Sequence, residues 1–234
     1  MAADPQTGII TDEKLAKASG EETCDPAVAA EFRAAEAAGA GSGRDAGTGE
    51  DEALAWYGDS AYGTGELRQE IAAAGHRAVI KPKPVQPAVP GGFTVDDFTA
   101  DEQAGTVTCP AGITRRITAT RNVIFGAASS TCPLRARCTT SKSGRTMSLL
   151  EQDSLLRAAR RDWPALREDY MRHRPNVERA VAQVATVRGR RLKLRCRGEA
   201  KNNAWLRYRT AALNLRNLIG KGLTRQAGTW ALVT

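Results

Sequence analysis

Histidines and long apolar runs are scarce in this sequence, and no leader of basic and then apolar residues opens it. Two histidines in 234 residues, His76 and His173, argue against a catalytic site built on imidazole groups. No window reaches the roughly 20 apolar residues of a membrane-spanning helix, and the missing leader predicts a chain that is not secreted. Five cysteines, an odd number, argue against a disulfide scaffold and suit a reducing cytoplasm.

Charge is distributed unevenly along the chain, whose overall net charge is +8. Residues 1–52 have a net charge of −8, residues 53–150 of +4 and residues 151–234 of +12. The basic last third favours a polyanionic partner, because a guanidinium can bind a phosphate through two hydrogen bonds. A basic surface that only keeps the protein soluble is the alternative. The charge pattern therefore favours a nucleic acid as the partner.

The hydrophobic pattern divides the chain into segments of different character. We expect order to begin near Leu54, because the Ala- and Gly-rich acidic stretch before it offers little for a core. A strand, a helix and a second strand then favour a parallel strand pair and an α/β fold. We predict a partly disordered linker over 1–52, this strand–helix–strand unit over 53–82, a β-rich insertion with cysteines over 83–150, basic helices over 151–222 and a tail over 223–234.

Several elements can be predicted inside these segments. Residues 93–99 and 105–109 have the pattern of a β-hairpin with a polar loop. Pro164 predicts the start of a new helix, because proline fits the first helical turn. Residues 203–219 have the apolar spacing of a helix, and Gly220 is a typical end for it.

Two acidic residues about 120 positions apart are the best candidates for chemistry. Asp59 follows an apolar strand and precedes a glycine-bearing turn, which is where open α/β sheets bind ligands. Glu178 lies early in a basic helical segment. Two carboxylates brought together would suit Mg²⁺, which supports phosphoryl transfer in two-metal sites. The alternatives are turn capping by Asp59 and a surface ion pair for Glu178.

Six short motifs, in this order along the chain, carry a family resemblance. Together they resemble the C-terminal part of bacterial insertion-sequence transposases of the DDE type, in the group with a cysteine-bearing insertion. Each motif is weak alone, whereas six in order are specific, and the resemblance covers roughly residues 7–230. The motifs are GDSAYGTG at 58–65, GGFTVDDF at 91–98, TCPAG at 108–112, CPLRARCT at 132–139, HRPNVER at 173–179 and RTAALNLR at 209–216.

The resemblance implies an α/β fold with a partial ribonuclease-H-like core that cuts and joins DNA with two Mg²⁺ ions. Asp59 would be the second catalytic aspartate of the family, and Glu178 its catalytic glutamate. Tyr170 and Arg174 would support Glu178 in a Tyr–Arg–Glu signature, although Tyr170 lies one residue further out than usual. Arg179 would help to clamp the DNA backbone. Ala185 occupies the place of the lysine that the family has seven residues after the glutamate.

The implied partners are transposon-end and target DNA, a second copy of the chain or a mixed oligomer with a full-length transposase, and no membrane. Such a protein would work in the bacterial cytoplasm, associated with the nucleoid. The predicted DNA contacts, one of which would replace the missing lysine, are Arg188, Arg190, Arg191, Lys193, Arg195, Arg197 and Lys201.

One departure from the family concerns the first catalytic aspartate. The family places it upstream of the segment matched here by Gly8–Asp12, so we expect a truncated copy that lacks this aspartate and the N-terminal DNA-binding region. Such a copy would be inactive by itself. The alternative function is that of a non-catalytic DNA-binding remnant that interferes with a full-length relative.

Three cysteines of the insertion, Cys109, Cys132 and Cys138, predict a structural Zn²⁺ site. Structural zinc is usually held by four S or N ligands. The family commonly has a fourth cysteine three residues before Cys132, where this chain has Ser129. The alternative is a set of free thiols.

Overall fold

The computed structural model describes residues 2–13, 15, 53–194 and 196–232. The chain forms two compact units, one made of Met1–Ala27 and Leu166–Thr234, the other of Val28–Ala165. We call them the terminal unit and the central unit. Most of the predicted linker, residues 16–52, lies outside the described residues. The segment boundaries predicted from the sequence stay predictions.

The central unit begins with a strand, a helix and a strand, as predicted. Strands β3 (Ala55–Gly58) and β4 (Arg77–Ile80) are parallel, with Tyr57 opposite Val79, and helix α1 (Gly65–Ala73) connects them. The Thr64 hydroxyl caps the helix by accepting a hydrogen bond from the N–H of Leu67 at 3.3 Å. Leu67, Ile71 and Ile80 are buried between the helix and the strands.

Antiparallel strands and a second apolar core follow in the central unit. Strands β5 (Thr99–Asp101), β6 (Thr106–Thr108) and β7 (Thr114–Arg116) form one sheet, and β8 (Asn122–Ile124) pairs with β9 (Thr146–Ser148). These strands lie within residues 83–150, and the interpretation of that segment as an insertion stays a prediction. Its buried core consists of Phe98, Val107, Val123, Phe125, Met147 and Leu149.

The predicted hairpin is shorter than expected, because its first strand begins only at Thr99. Thr94 and Asp97 form a capping box, in which the Asp97 carboxylate accepts the N–H of Thr94 at 2.7 Å. This box stabilises a 3₁₀ turn at Val95–Asp97, where the sequence pattern predicted a strand. The short helix α2 (Arg135–Cys138) follows β8 in this unit.

Helix α3 runs without interruption through Asp153–Ala185, so the predicted helix start at Pro164 is wrong. A proline inside a helix removes one main-chain hydrogen bond, and here other contacts fix the preceding turns. Arg160 forms two hydrogen bonds of 2.6 Å with the Asp96 carboxylate. Arg157 donates to the carbonyl of Phe98 at 2.7 Å. These contacts hold the start of α3 on the central unit.

The terminal unit contains the end of α3, helix α4 (Glu199–Gly220) and three hairpins. The predicted helix over residues 203–219, ending at Gly220, is confirmed. A hairpin of β1 (Ala2–Ala3) and β2 (Ile10–Asp12) contradicts the expectation that order begins near Leu54. A hairpin of β12 (Leu223–Gln226) and β13 (Thr229–Leu232) occupies the predicted tail. The third hairpin, β10 (Thr186–Val187) and β11 (Arg190–Arg191), connects the two helices.

The architecture is mixed α/β, as predicted. The largest sheet among the described residues has three strands. No helix in the described ranges combines the length and the apolar character that crossing a membrane requires.

Candidate functional site

Asp59 follows β3 directly, at the carboxyl edge of the parallel β3–β4 pair. Its Oδ1 accepts a hydrogen bond from the N–H of Ala61 at 2.8 Å and caps the 3₁₀ turn Ser60–Tyr62. The turn-capping interpretation is therefore confirmed. Asp59 is exposed, and the described residues supply no hydrogen bond to its Oδ2. The carboxylate thus combines a structural bond with an oxygen that faces solvent.

Tyr170, Arg174 and Glu178 lie on successive turns of α3. The Arg174 guanidinium carbon is 5.8 Å from the centroid of the Tyr170 ring, and its Nε donates to Oε1 of Glu178 at 2.5 Å. Tyr170 is buried, whereas the Glu178 side chain is 60% exposed. The ion-pair interpretation of Glu178 is therefore confirmed, and an exposed pair of this kind contributes only about 0.3–0.5 kcal/mol. Arg174 orients the carboxylate and leaves it accessible.

Arg179 contacts its own helix. Its Nε donates to the carbonyl of Pro175 at 3.3 Å, and its NH2 donates to Oδ1 of Asn176 at 2.8 Å. The side chain is exposed. Its predicted contact with DNA stays a prediction, and the structure adds a role in orienting the Asn176 amide.

The β10–β11 hairpin exposes several of the predicted DNA-binding side chains. Its two-residue turn, Arg188-Gly189, has positive φ angles of 51° and 75°, as hairpin turns of type I′ require. An arginine at such a position costs roughly 1–2 kcal/mol relative to glycine, so the fold alone does not favour this residue. Arg195 lies outside the described residues, while the exposed side chains are Arg188, Arg190, Arg191, Lys193, Arg197 and Lys201.

Arg209, the first residue of the motif at 209–216, joins α4 to the end of α3, a role that the sequence did not predict. Its Nε donates to the carbonyl of Val184 at 2.8 Å, and its NH2 donates to those of Gln183 and Thr186 at 2.7 Å. The Thr186 hydroxyl donates to the carbonyl of Ala182 at 2.7 Å. These bonds satisfy carbonyls that a helix end leaves without partners and fix the base of the basic hairpin.

The three cysteines of the insertion lie close enough to interact electrostatically. Burial raises the pKa of the Cys138 thiol, the Arg145 guanidinium opposes this rise, and Cys109 and Cys132 add to it. Ser129 is buried and directed at the main chain, since its hydroxyl accepts the N–H of Arg145 at 3.2 Å. Ser129 therefore does not supply the missing fourth ligand.

Among the described residues of either unit, no three His, Cys, Asp or Glu side chains form a group that could hold a metal ion. The three thiols interact, but they do not fit a zinc site. Asp59 belongs to the central unit and Glu178 to the terminal unit, so their sharing of a divalent ion stays a prediction.

A known protein family matches a long region of the chain. Residues 108–219 match a family described as a transposase DDE domain. The match covers slightly less than half of the chain and supports a DDE-type transposase. The prediction made from the six motifs is thereby confirmed at the level of this family. No curated protein and no solved structure matches the chain.

The matched DDE domain includes Tyr170, Arg174 and Glu178, the basic hairpin, and the three cysteines of the insertion. Asp59 lies upstream of the matched residues. The match names no individual residue, so the catalytic roles of Glu178 and Asp59 both stay predictions.

Proposed function

We propose that this chain is an insertion-sequence DNA transposase that cleaves and joins DNA strands with the help of Mg²⁺. The observation that carries the proposal is the DDE domain match over helix α3, where Arg174 presents the exposed carboxylate of Glu178. A ribonuclease-H-like arrangement of the catalytic residues is part of the proposal. DNA is the substrate, as transposon ends and as target.

The donor chemistry of the two carboxylates suits Mg²⁺, which prefers exposed carboxylate oxygens and retained waters. Asp59 and Glu178 would hold the ions. Bound divalent ions help a water or a 3′-hydroxyl to attack phosphorus and stabilise the leaving oxygen. Arg174 holds Oε1 of Glu178 at 2.5 Å and so directs the carboxylate. Asp59 is an exposed residue whose Oδ1 is held by the N–H of Ala61.

The basic hairpin supports the choice of DNA as substrate. Arg188 occupies a turn position that glycine or asparagine would fill with less strain. Arg190 and Arg191 extend the positive surface, and guanidinium groups bind phosphate through paired hydrogen bonds. This surface would bind the DNA backbone without reading its sequence.

The proposal includes the setting in which the chain works. A chain acting on chromosomal DNA would be cytoplasmic and nucleoid-associated. Joining two transposon ends would need a second copy or a mixed oligomer with a full-length transposase, which light scattering with and without DNA can test.

Nicking of a supercoiled plasmid that carries the DNA flanking the gene tests the proposal. With Mg²⁺ present, a catalytically active chain should nick the plasmid, and both Asp59→Ala and Glu178→Ala should lower the rate at least about 100-fold, equivalent to roughly 2.7 kcal/mol. No nicking by the wild-type chain would agree with the expectation, drawn from the sequence, that the chain is inactive by itself. EDTA should abolish nicking.

Two control variants separate catalysis from local structure. Asp101 caps a turn in the same way as Asp59, by accepting the N–H of Ala104 at 2.9 Å. Glu168 is an exposed carboxylate of α3 with an arginine four residues away, as Glu178 has. Asp101→Ala and Glu168→Ala should keep the wild-type nicking rate, and equal losses in the controls would refute the assigned roles.

A non-catalytic DNA-binding remnant is the second candidate. The net charge of +12 over residues 151–234 supports it, because DNA binding by a basic surface needs no catalytic site. It predicts salt-sensitive DNA binding, no nicking, and inhibition of a full-length relative. Metal analysis of the purified wild-type protein and of the Cys132→Ser variant would decide whether the protein binds zinc.

A further inference from the structure

Helix α4 carries an open groove on the side that faces away from the N-terminal residues. Asn203 and Asn214 form hydrogen bonds with main-chain atoms of those residues. Ala212 and Trp205 each lie about two and a half helical turns from one of these asparagines, which places them on the opposite side of the helix. The groove has a volume of about 400 Å³, and the residues that line it are Trp205, Tyr208, Arg209, Ala212, Leu213 and Arg216.

The lining residues form one continuous stripe of α4. Their positions advance by 3, 1, 3, 1 and 3 residues, which is the spacing of a single helix face. Tyr208 is 80% exposed although it belongs to this stripe, and Trp205 is half-buried beside it. The groove therefore presents aromatic surface that packing within the terminal unit does not cover.

Two arginines give the groove a positive charge. Arg216 is exposed, and among the described residues none forms a hydrogen bond or an ion pair with its guanidinium. Arg209 connects the groove with the basic hairpin, because it lines the groove and also donates to the carbonyl of Thr186 in β10 at 2.7 Å. The six lining residues include no acid. The groove is thus continuous with the basic surface of the hairpin.

We infer that this groove binds the unpaired nucleotides of a DNA single strand. Tyr208 and Trp205 stack on the bases and Arg216 binds phosphate, which is how proteins that bind single strands combine aromatic and basic side chains. A duplex exposes only the edges of its bases in the grooves, so it offers no base face to these rings. This site rests on the proposed function, because DNA is its ligand, and it adds the form of DNA that the chain holds.

The ligand must suit both the groove and the hairpin beside it. Arg190 and Arg191 of β11 are exposed, and residues 151–234 have a net charge of +12. A DNA strand carries a negative phosphate and an aromatic base in every nucleotide, so it matches both features along its whole length. A protein partner would need acidic residues at the hairpin and apolar residues at the groove. The charge of this surface therefore favours DNA.

Two labelled single strands of about 12 nucleotides test the site on the whole chain. One consists of thymidine nucleotides, and the other is abasic at every position. Both carry the same phosphates, so only the bases distinguish them. In fluorescence anisotropy titrations, the thymidine strand should bind at least about tenfold more tightly than the abasic strand. If the groove serves a protein partner instead, the two strands bind equally, and this outcome would overturn the proposal.

Variants of Tyr208 test the stacking. Because this side chain is exposed, its replacement should leave the fold intact, which circular dichroism checks. Tyr208→Leu should weaken binding of the thymidine strand at least about fivefold and that of the abasic strand less than about twofold. Tyr208→Phe keeps the ring and should bind both strands as the wild type does. Trp230→Leu, at another exposed aromatic residue of the terminal unit, is the control. Equal effects of Tyr208→Leu and Trp230→Leu would contradict stacking on Tyr208.

The phosphate contact has its own variant. Arg216→Gln should reduce the slope of log K against log salt for the thymidine strand by about 0.7, whereas Arg207→Gln, at an exposed position outside the groove, should leave it nearly unchanged. Equal slope changes would contradict the contact. A preference for the thymidine strand supports the site whether or not the plasmid is nicked. Equal affinities for the two strands overturn the site and leave the transposase proposal as it stands.

Discussion

Arg209 of α4 binds the main-chain carbonyl of Val184 at the end of α3, with 2.8 Å between its Nε and that oxygen. The same guanidinium reaches the carbonyls of Gln183 and Thr186. The N–H of Leu192 donates to the carbonyl of Ala185 at 2.9 Å. A positive charge at this end of a helix also interacts favourably with the helix dipole. One side chain therefore fixes the helix end, the following hairpin and the next helix.

Removing this guanidinium should destabilise the terminal unit. Arg209→Gln loses charge-assisted hydrogen bonds to several carbonyls, and each is worth about 1.5–3 kcal/mol, so we expect a loss of about 2–4 kcal/mol of unfolding free energy. Urea unfolding measures it. Arg207→Gln, at an exposed position of the same helix, is the control and should change stability by less than about 0.5 kcal/mol. Equal effects of the two variants would contradict the capping role.

Two adjacent residues of β8 should respond very differently to truncation. Val123 is fully buried in the core of the insertion, whereas Ile124 is 55% exposed. Val123→Ala removes buried methyl groups and leaves a cavity, so it should cost about 2 kcal/mol. Ile124→Ala should cost much less, although it deletes more atoms. Denaturant unfolding of both variants checks the predicted register of this strand.

Arginines of the basic hairpin should set the salt dependence of DNA binding. If Arg190 and Arg191 each neutralise one phosphate, their replacement by alanine should reduce the slope of log K against log salt by about 1.8. Fluorescence anisotropy with a labelled duplex over a series of salt concentrations measures this slope. Arg115 and Arg116 of β7 are an equally exposed pair, and their replacement should leave the slope nearly unchanged. Equal slope changes would show that overall charge, and not the hairpin, determines binding.

The Cys138 thiol should titrate above its ordinary pKa of 9.0, chiefly because burial disfavours the thiolate. Since the thiolate is the form that reacts, the pH at which Cys138 is alkylated at half its maximal rate should exceed 9.0. Because its pKa is higher in the folded state, the Cys138 thiol contributes to the unfolding free energy below pH 9.0. This contribution is lost as the pH rises through the pKa of the folded state. Alkylation by iodoacetamide, mapped by mass spectrometry from pH 7 to 11, tests the prediction. A midpoint below 9.0 would contradict it.

Local patterns predicted the elements whose causes are local. The strand–helix–strand unit was predictable because a strand, a Thr64 cap and a glycine turn follow one another in the sequence. The helix start predicted at Pro164 was wrong, because contacts between residues far apart in the sequence, such as Arg160 and Asp96, hold the turns before the proline in the helix. The spacing of apolar residues cannot predict such contacts, since it describes one helix or strand at a time.

The candidate residues were predictable by type, and their partners were not. Asp59 and Glu178 were chosen for their positions, and both alternative roles, capping and ion pairing, exist in the structure. Arg209 and Asn214 lie in the motif at 209–216, but the motif does not indicate their partners, which are main-chain atoms 25 and 204 residues away. Side chains that bind distant main chain can be found only in three dimensions.

Pro175 lies inside the turn that connects Arg174 to Glu178 in α3. Because proline has no N–H, the carbonyl of Met171 loses its usual partner in the helix. Bending at this turn therefore breaks one hydrogen bond fewer than bending at a turn of α3 that has no proline. The direction of the glutamate carboxylate can consequently be adjusted by a small change in helix curvature, while the arginine beside it moves along with it.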